Sequence, residues 1–374
     1  MTRRERLLAT LRGEPVDRPA VCFYEIGGCH ADPDNPDPYN VFNSPDWRPL
    51  LQLAEERTDL IRMRGAARGR PGAGRERFFR HATHDDGETR TTRTTLTVGA
   101  RTMTQVAVRR RDVHTTWTTE HLLKDADDVE AYLAIPDEVF AEEVDVAPLL
   151  AEEQALGDRG LVMVDTEDPL CAAAGLFSMA DYTVLAYTQP ALFHRLLAKM
   201  AARILPRTAE VSRLLPGRLW RIYGPEYASE PYLPPRLFAE YVGRYVAPMV
   251  AAIHAHGGYA RIHCHGRLRH NLDQIAALGA DGLDPIEPPP QGDIELHEVR
   301  AAHGRQMVLF GNVEIADIEN LPTPRFAERV RRALDEGTRG AGRGFVLMPS
   351  ASPYGRRIPA LTLRNYETMV ELAT

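Results

Sequence analysis

No apolar run in this sequence reaches the roughly 20 residues that a membrane-crossing helix needs. The opening stretch, MTRRERLLATLRGE, is charged throughout and lacks the apolar core of a secretory leader. Cysteine is scarce. Four of them (Cys22, Cys29, Cys171 and Cys264) in 374 residues cannot build the disulfide framework of a secreted domain. A large excess of one charge is also missing: at a net −7, the chain has no broad basic footprint for nucleic acid. These absences lead to the expectation of a cytoplasmic protein with no membrane or nucleic-acid partner, acting on a small molecule. Oligomeric state and the identity of the substrate are not legible at this level.

What is present fits an ordinary globular protein, with 44% hydrophobic and 26% charged residues. The length allows two domains, but α/β barrels often run this long as one, and a single domain over residues 1–374 is expected. Thr2 and Glu5 have the spacing of a capping box ahead of LLATLRG, which predicts a short N-terminal helix. A strand is expected at Pro19–Tyr24, a helix at Leu50–Arg57 and a second strand at Asp59–Met63. Residues 77–120 are rich in Thr, Arg and Val, with turn signals at Asp86-Gly87 and Gly99; they read as an inserted β-hairpin or small meander. The acidic stretch 124–156 reads as helical. Strands and helices then alternate. The strands are LVMVD (161–165), LWRIYG (219–224), YARIHCH (259–265), DGLDPI (281–286), MVLFGN (307–312) and GFVLM (344–348). Counted from Ala20, that makes eight strands, most of them followed by helices. The pattern predicts a (β/α)8 TIM barrel.

Barrel enzymes carry their chemistry at the C-terminal ends of the strands. Those ends supply Glu25, Asp165, Glu167, Glu226, His263, His265, Asp284, Glu287, Asn312, Glu314, Ser350 and Ser352. The most specific stretch is RIHCHG, residues 261–266. Side chains two apart on a strand share a face, so Tyr259, Arg261, His263 and His265 point one way and Ala260, Ile262 and Cys264 the other. The apolar set suits packing under helices, which turns the polar set towards the barrel axis. Two histidines ending one strand in a barrel mouth suit a metal site or a substrate clamp; a single one is usually just a hydrogen-bonded loop residue. Plainer roles exist for the others: Glu226 as a helix cap, Asp284 and Glu287 as turn residues around Pro285, Asn312 as a turn former and Cys264 as a packed core thiol. Cys29, beside His30 in the first strand–helix loop, is either an inert loop thiol or a sulfur within reach of the mouth.

Several stretches, in order and at barrel spacings, resemble the uroporphyrinogen decarboxylase superfamily, which includes the cobamide-dependent methyltransferases. They are TRRERLLATLRGEPVDRPAV, TTEHLLKDADDVEAY, GPEYASEPYLPPRLFAEYVGRYVAPMVAAIHAHGGYARIHCHG, LFGNVE and LMPSASPYGRRIPALTLRNYETMVE. The resemblance covers nearly the whole length. True decarboxylases of this superfamily carry an arginine-rich motif after the first strand, where this chain reads YEIGGCHADP without arginine. The methyltransferase branch carries a zinc site made of H-x-C on the strand and a further cysteine near the last strand. His263 matches the histidine, His265 stands where the first cysteine would be, and LMPSASPYG has no cysteine. Harder donors thus replace soft sulfur, and the resemblance implies a less thiophilic site.

These observations lead to the expectation of a metal-dependent methyltransferase. His263, His265 and Glu226 would bind a divalent metal such as zinc, Glu226, Glu287 and Asn312 would line the catalytic site, and a corrinoid would be supplied by a partner protein or as a free cofactor. One alternative is a metal-free decarboxylase of a small or tetrapyrrole-like carboxylate, with the same groups handling protons. The other is a non-catalytic ligand-binding barrel, against which the density of ionisable groups at the mouth argues. Without the arginine motif, the purified protein is expected not to convert uroporphyrinogen to coproporphyrinogen; steady accumulation of product by chromatography would overturn that expectation.

Overall fold

The computed structural model describes residues 1–26, 33–65, 68–71 and 74–374. Fourteen strands occur among them. They are β1 (Ala20–Val21), β2 (Leu60–Gly65), β3 (Arg68–Pro71), β4 (Phe79–Asp85), β5 (Thr89–Val98), β6 (Arg101–Arg110), β7 (Thr116–Glu120), β8 (Glu142–Val144), β9 (Gly160–Glu167), β10 (Leu219–Tyr223), β11 (Tyr259–Cys264), β12 (Gly282–Pro285), β13 (Val308–Val313) and β14 (Phe345–Pro349). Eight of them form one parallel sheet in the order β1-β14-β13-β12-β11-β10-β9-β2. This is the curled sheet of a TIM barrel, and β9 to β14 are its six consecutive strands in the region 161–348. At the seam between β1 and β2, Asp59 N–H donates to Val21 O at 2.7 Å and Val21 N–H to Asp59 Oδ2 at 2.9 Å.

Strand alternation divides the core into two shells. Outward residues such as Val162, Val164, Trp220, Ile222, Ala260, Ile262 and Cys264 pack under the helices. Inward residues form layers across the barrel, and the register shows their order. Met163, Leu219 and Tyr259 lie side by side, followed towards the mouth by Asp165, Arg221 and Arg261, then by Glu167, Tyr223, His263 and Asp284. The bottom of the barrel is therefore apolar, joined there by Leu161, Phe310 and Val346, and its upper half is charged. Burying each large apolar side chain contributes about 1.5–3 kcal/mol, whereas each buried ion costs several kcal/mol unless it is paired. The layer order thus separates the part that stabilises the barrel from the part that holds chemistry.

β4 to β7 form a separate four-stranded antiparallel sheet, in sequence order. The N-terminal helix spans Arg3–Arg12, and its capping box is complete: Glu5 N–H donates to Thr2 Oγ1 at 3.1 Å and Thr2 N–H to Glu5 Oε2 at 2.8 Å. Two expectations need correction. The stretch 124–156 is not one helical run; helices Ala126–Leu133 and Ala147–Leu156 flank a short turn and β8, because Pro136 cannot continue the first helix. The first strand pairs over only Ala20–Val21 and not to Tyr24. A turn closed by Ile26 N–H on Tyr24 O at 2.7 Å, with Glu25 at φ 57°, ends it.

Asp59 holds the N-terminal helix, the loop before β1 and the seam together. Its fully buried carboxylate accepts from Arg6 at 2.5 Å and from Arg18 at 2.9 Å as well as from Val21 N–H. Replacing it removes one of two carboxylates from the buried Arg6 guanidinium, which keeps Asp17 at 2.7 Å, and leaves Val21 N–H without its acceptor. Asp59→Ala is expected to lower stability by roughly 1–3 kcal/mol, read as a fall in the urea midpoint; a midpoint within error of wild type would refute this account of the seam.

Candidate active site

The mouth of the barrel is organised by β11. Arg261, His263 and His265 leave it on the inner side, as alternation predicts, while Cys264 is fully buried on the outer side. Asp284, one strand over and directly opposite His263, accepts from two of these residues. Arg261 forms an ion pair with it, Nη2 donating to Oδ2 at 3.1 Å, while Nε lies 2.7 Å from Oδ1 without the alignment of a hydrogen bond. His263 Nδ1–H donates to Oδ2 at 2.7 Å. A carboxylate only accepts, so this bond puts the His263 proton on Nδ1 and leaves Nε2 with its lone pair. Among the described residues, the polar partner of Nε2 is the Tyr24 hydroxyl, at 3.5 Å.

His265 repeats the arrangement one step higher. Its Nδ1–H donates to Glu287 Oε1 at 2.9 Å, and Glu287 Oε2 also accepts from Gly266 N–H at 2.6 Å. The two imidazoles meet edge to face with centroids 4.5 Å apart. Their proton affinities are pushed in opposite directions. Burial, reinforced by the Arg221 charge, takes His263 down to about 3 even though Asp284 pulls the other way. Burial also disfavours charge on His265, but its bond to Glu287 and the charges of Glu287 and Glu226 outweigh it and raise its pKa. Asp284 is held below the usual carboxylate range: burial opposes ionisation, but Arg261 and His263 more than offset it.

Glu226 lies in the turn Pro225–Ala228 after β10, and its Oε2 accepts from Gly224 N–H at 3.2 Å. Gly224 has φ 120°, and a Cβ there would sit 2.3 Å from Cys171 Cβ, so only glycine fits this bend. Through its bond to Gly224 N–H, the Glu226 carboxylate caps the short turn Pro225–Ala228, not the helix that follows; burial raises its pKa, and His265 is a charge it feels. Asn312 is buried at the end of β13, after Gly311, where a Cβ would lie 2.1 Å from Pro285 O. That close approach brings the end of β13 against β12.

The other strand-end residues are scattered around the rim. Asp165 faces Arg221 Nη1 at 3.4 Å, and burial raises its pKa to about 6 against the pull of Arg221 and Arg261. Glu167 is paired with Arg203 at 3.3 Å and Arg207 at 3.2 Å. Ser350 Oγ–H donates to Glu314 at 3.1 Å and Ser352 Oγ–H to Glu25 at 3.3 Å. Cys29 and His30 lie outside the described residues. Sequence reasoning did not assign Tyr24, Arg221 or Arg261 to the site. Arg261 shares the inner face of its strand with the two histidines, and the alternation of LWRIYG puts Arg221 on the inner face in the same way, so a signal existed for both.

Among the described residues, no group of three or more His, Cys, Asp or Glu side chains is arranged to hold a metal ion. Two donors do suit one. Each ring is fixed through Nδ1 by a carboxylate, the usual outer support of a histidine ligand, and His265 Nε2 has no hydrogen-bond partner among the described residues.

The family described as Uroporphyrinogen decarboxylase (URO-D) matches residues 105–374. This chain belongs to the URO-D family. Among solved structures, a methyltransferase from Methanosarcina mazei is similar in fold, with a TM-score of 0.60 at 15% identity over 100% of this chain and 99% of the other. A D-psicose 3-epimerase from Clostridium cellulolyticum H10 is a much weaker match, with a TM-score of 0.32 at 11% identity over 64% of this chain and 77% of the other. No curated protein matches the chain by sequence. No helix among the described residues of this URO-D family member is long and apolar enough to cross a membrane.

The opposed environments of the two rings make a direct prediction for the metal-free protein. In imidazole nitrogen NMR, His265 is expected to titrate above its ordinary value of 6.5, and His263 to stay neutral with Nδ1 protonated as pH falls towards 4. Glu287→Gln should lower the His265 midpoint. A His263 midpoint near 6.5 would contradict the Asp284–His263 geometry.

Proposed function

We propose that this URO-D family enzyme is a methyltransferase whose His263 and His265 bind one divalent metal through Nε2, with Glu226 as a third ligand that must swing in on binding, since the three groups do not converge on an ion as they stand. The observation that carries the reading is the pair of carboxylate–histidine contacts, His263 with Asp284 at 2.7 Å and His265 with Glu287 at 2.9 Å. Both leave Nε2 as the donor atom, and burial keeps His263 neutral, the state a ligand needs. The full-length likeness in fold to a methyltransferase supports the same direction. A bound zinc or similar ion would supply Lewis acidity, polarising or deprotonating a substrate hydroxyl or thiol. A corrinoid, on a partner protein or free, would give or take the methyl group.

The chain's own residues have distinct parts in this proposal. Asp284 and Glu287 hold the two imidazoles in orientation and tautomer. Arg261 balances the charge of Asp284, so that carboxylate stays ionised and does not take the His263 proton. Tyr24, whose pKa burial raises well above the ordinary value, stays protonated beside His263 and offers a donor to a substrate oxygen. Glu287 would line the mouth where the substrate reacts, whereas Asn312, expected there from sequence, borders a separate cavity with Pro289, Glu295 and Arg332.

One observation favours a second reading. A neutral His263 next to a readily protonated His265 is an acid–base pair, which suits a metal-free decarboxylase that protonates a carbanion-like intermediate. Metal analysis separates the two. Protein purified without chelator and supplied with zinc is expected to retain about one equivalent per chain. His263→Ala and His265→Ala should each lose most of it, and Glu226→Gln part of it. Wild type that retains none leaves the acid–base reading; ligand binding without turnover under either condition leaves a non-catalytic barrel.

A further inference from the structure

A second cavity adjoins the mouth, roofed by the antiparallel sheet. Its volume is about 440 Å³. The floor includes Glu167 and Tyr223, which stand beside His263 in one row of the barrel: Glu167 pairs with Tyr223, and Tyr223 with His263. The roof is a cross-strand row, His81 on β4, Thr94 on β5 and Gln105 on β6, in register with one another. His81 Nδ1 and Thr94 Oγ1 are joined at 3.0 Å. One wall is aromatic: Phe79, Tyr132 and Phe140 cluster there, with Phe140 centroids 6.3 Å from Phe79 and 5.4 Å from Tyr132.

The cations of this cavity are not equivalent. Arg203 is engaged by Glu167 at 3.3 Å and lies 4.0 Å from Glu142. Arg75 stacks over Phe79, its Cζ 4.7 Å from the ring centroid, and none of the described carboxylates pairs with it. An aromatic slot next to an uncommitted guanidinium recognises a flat apolar body that carries an anion, and a carboxylate matches the guanidinium fork bidentately. The volume lies in the range of small-molecule sites. It suits two fused rings better than a tetrapyrrole.

We propose that this cavity is the substrate's recognition pocket and takes a small aromatic carboxylate. The rings lie against Phe79, Tyr132 and Phe140, the carboxylate is on Arg75, and the reacting end points past Tyr223 towards His263. The proposal rests on the mouth being the reaction site, but the binding itself needs no metal. The test is calorimetric titration of the full chain, stripped of metal, with 2-naphthoate and its uncharged isostere 2-naphthamide. The acid is expected to bind roughly tenfold tighter than the amide, as a charge-assisted, partly exposed contact implies. Arg75→Gln should remove that preference and leave amide affinity unchanged, and Met200→Trp, which fills a buried part of the lining, should weaken both ligands. Equal affinity for acid and amide, no binding of either, or a preference that survives Arg75→Gln would overturn the proposal. The titration uses metal-free protein, so a wild type that fails to retain zinc leaves this result standing, and the reverse also holds.

Discussion

The mouth of this barrel depends on one carboxylate, Asp284. It is fully buried, and it meets Arg261 through both oxygens while accepting a hydrogen bond from His263 Nδ1–H. Burying either charge at this depth without the other would be unfavourable, because each buried ion costs several kcal/mol until its partner offsets it. Together they hold a neutral imidazole with one known tautomer. Removing either partner would leave an uncompensated charge and a histidine free to turn. The preparation of the His263 Nε2 lone pair for a metal or a proton thus follows from an ion pair one layer below it.

That ion pair is affordable only because the layers beneath it are apolar. Met163, Leu219, Phe310 and Val346 fill the bottom of the barrel and exclude water from the charged layer above. Low polarisability there strengthens the Arg261–Asp284 contact and presses His263 towards neutrality. Higher up, His265 is half-exposed beside Glu287 and Glu226, and the same burial is outweighed by two carboxylates. Depth along one strand therefore assigns different proton states to two identical side chains two residues apart.

The inserted sheet gives the mouth a roof on one side. Its inner row of His81, Thr94 and Gln105 is polar but uncharged or weakly basic, and the adjoining wall is aromatic. Its position over Glu167 and Tyr223 joins a recognition surface to the reactive row without a separate domain. In this family member, substrate selection and chemistry then lie on different elements: loops and an insertion for the first, barrel strands for the second.

Much of this was legible in the chain. Alternation in YARIHCH determined that both histidines share the inner face with Arg261 and that Cys264 does not, since a strand's side-chain period is fixed by its backbone. The succession of apolar runs and helices determined the parallel barrel, and the Thr/Arg-rich stretch an antiparallel insertion. Local pattern carried less information where a strand is short: Pro19–Tyr24 reads as six residues but pairs over two, because a tertiary turn at Glu25 ends it. The partners were decided only by folding. From sequence, Asp284 and Glu287 fit turn roles around Pro285 as well as the site, where Glu287 is expected; folding sets Asp284 opposite His263 in the register and brings Glu287 to His265. Arg221 carries no motif, and its charge matters only because the barrel closes around it. Periodicity is a property of one segment and can be read along the chain. A charge's partner and its depth depend on which strands become neighbours, and only the tertiary structure decides that.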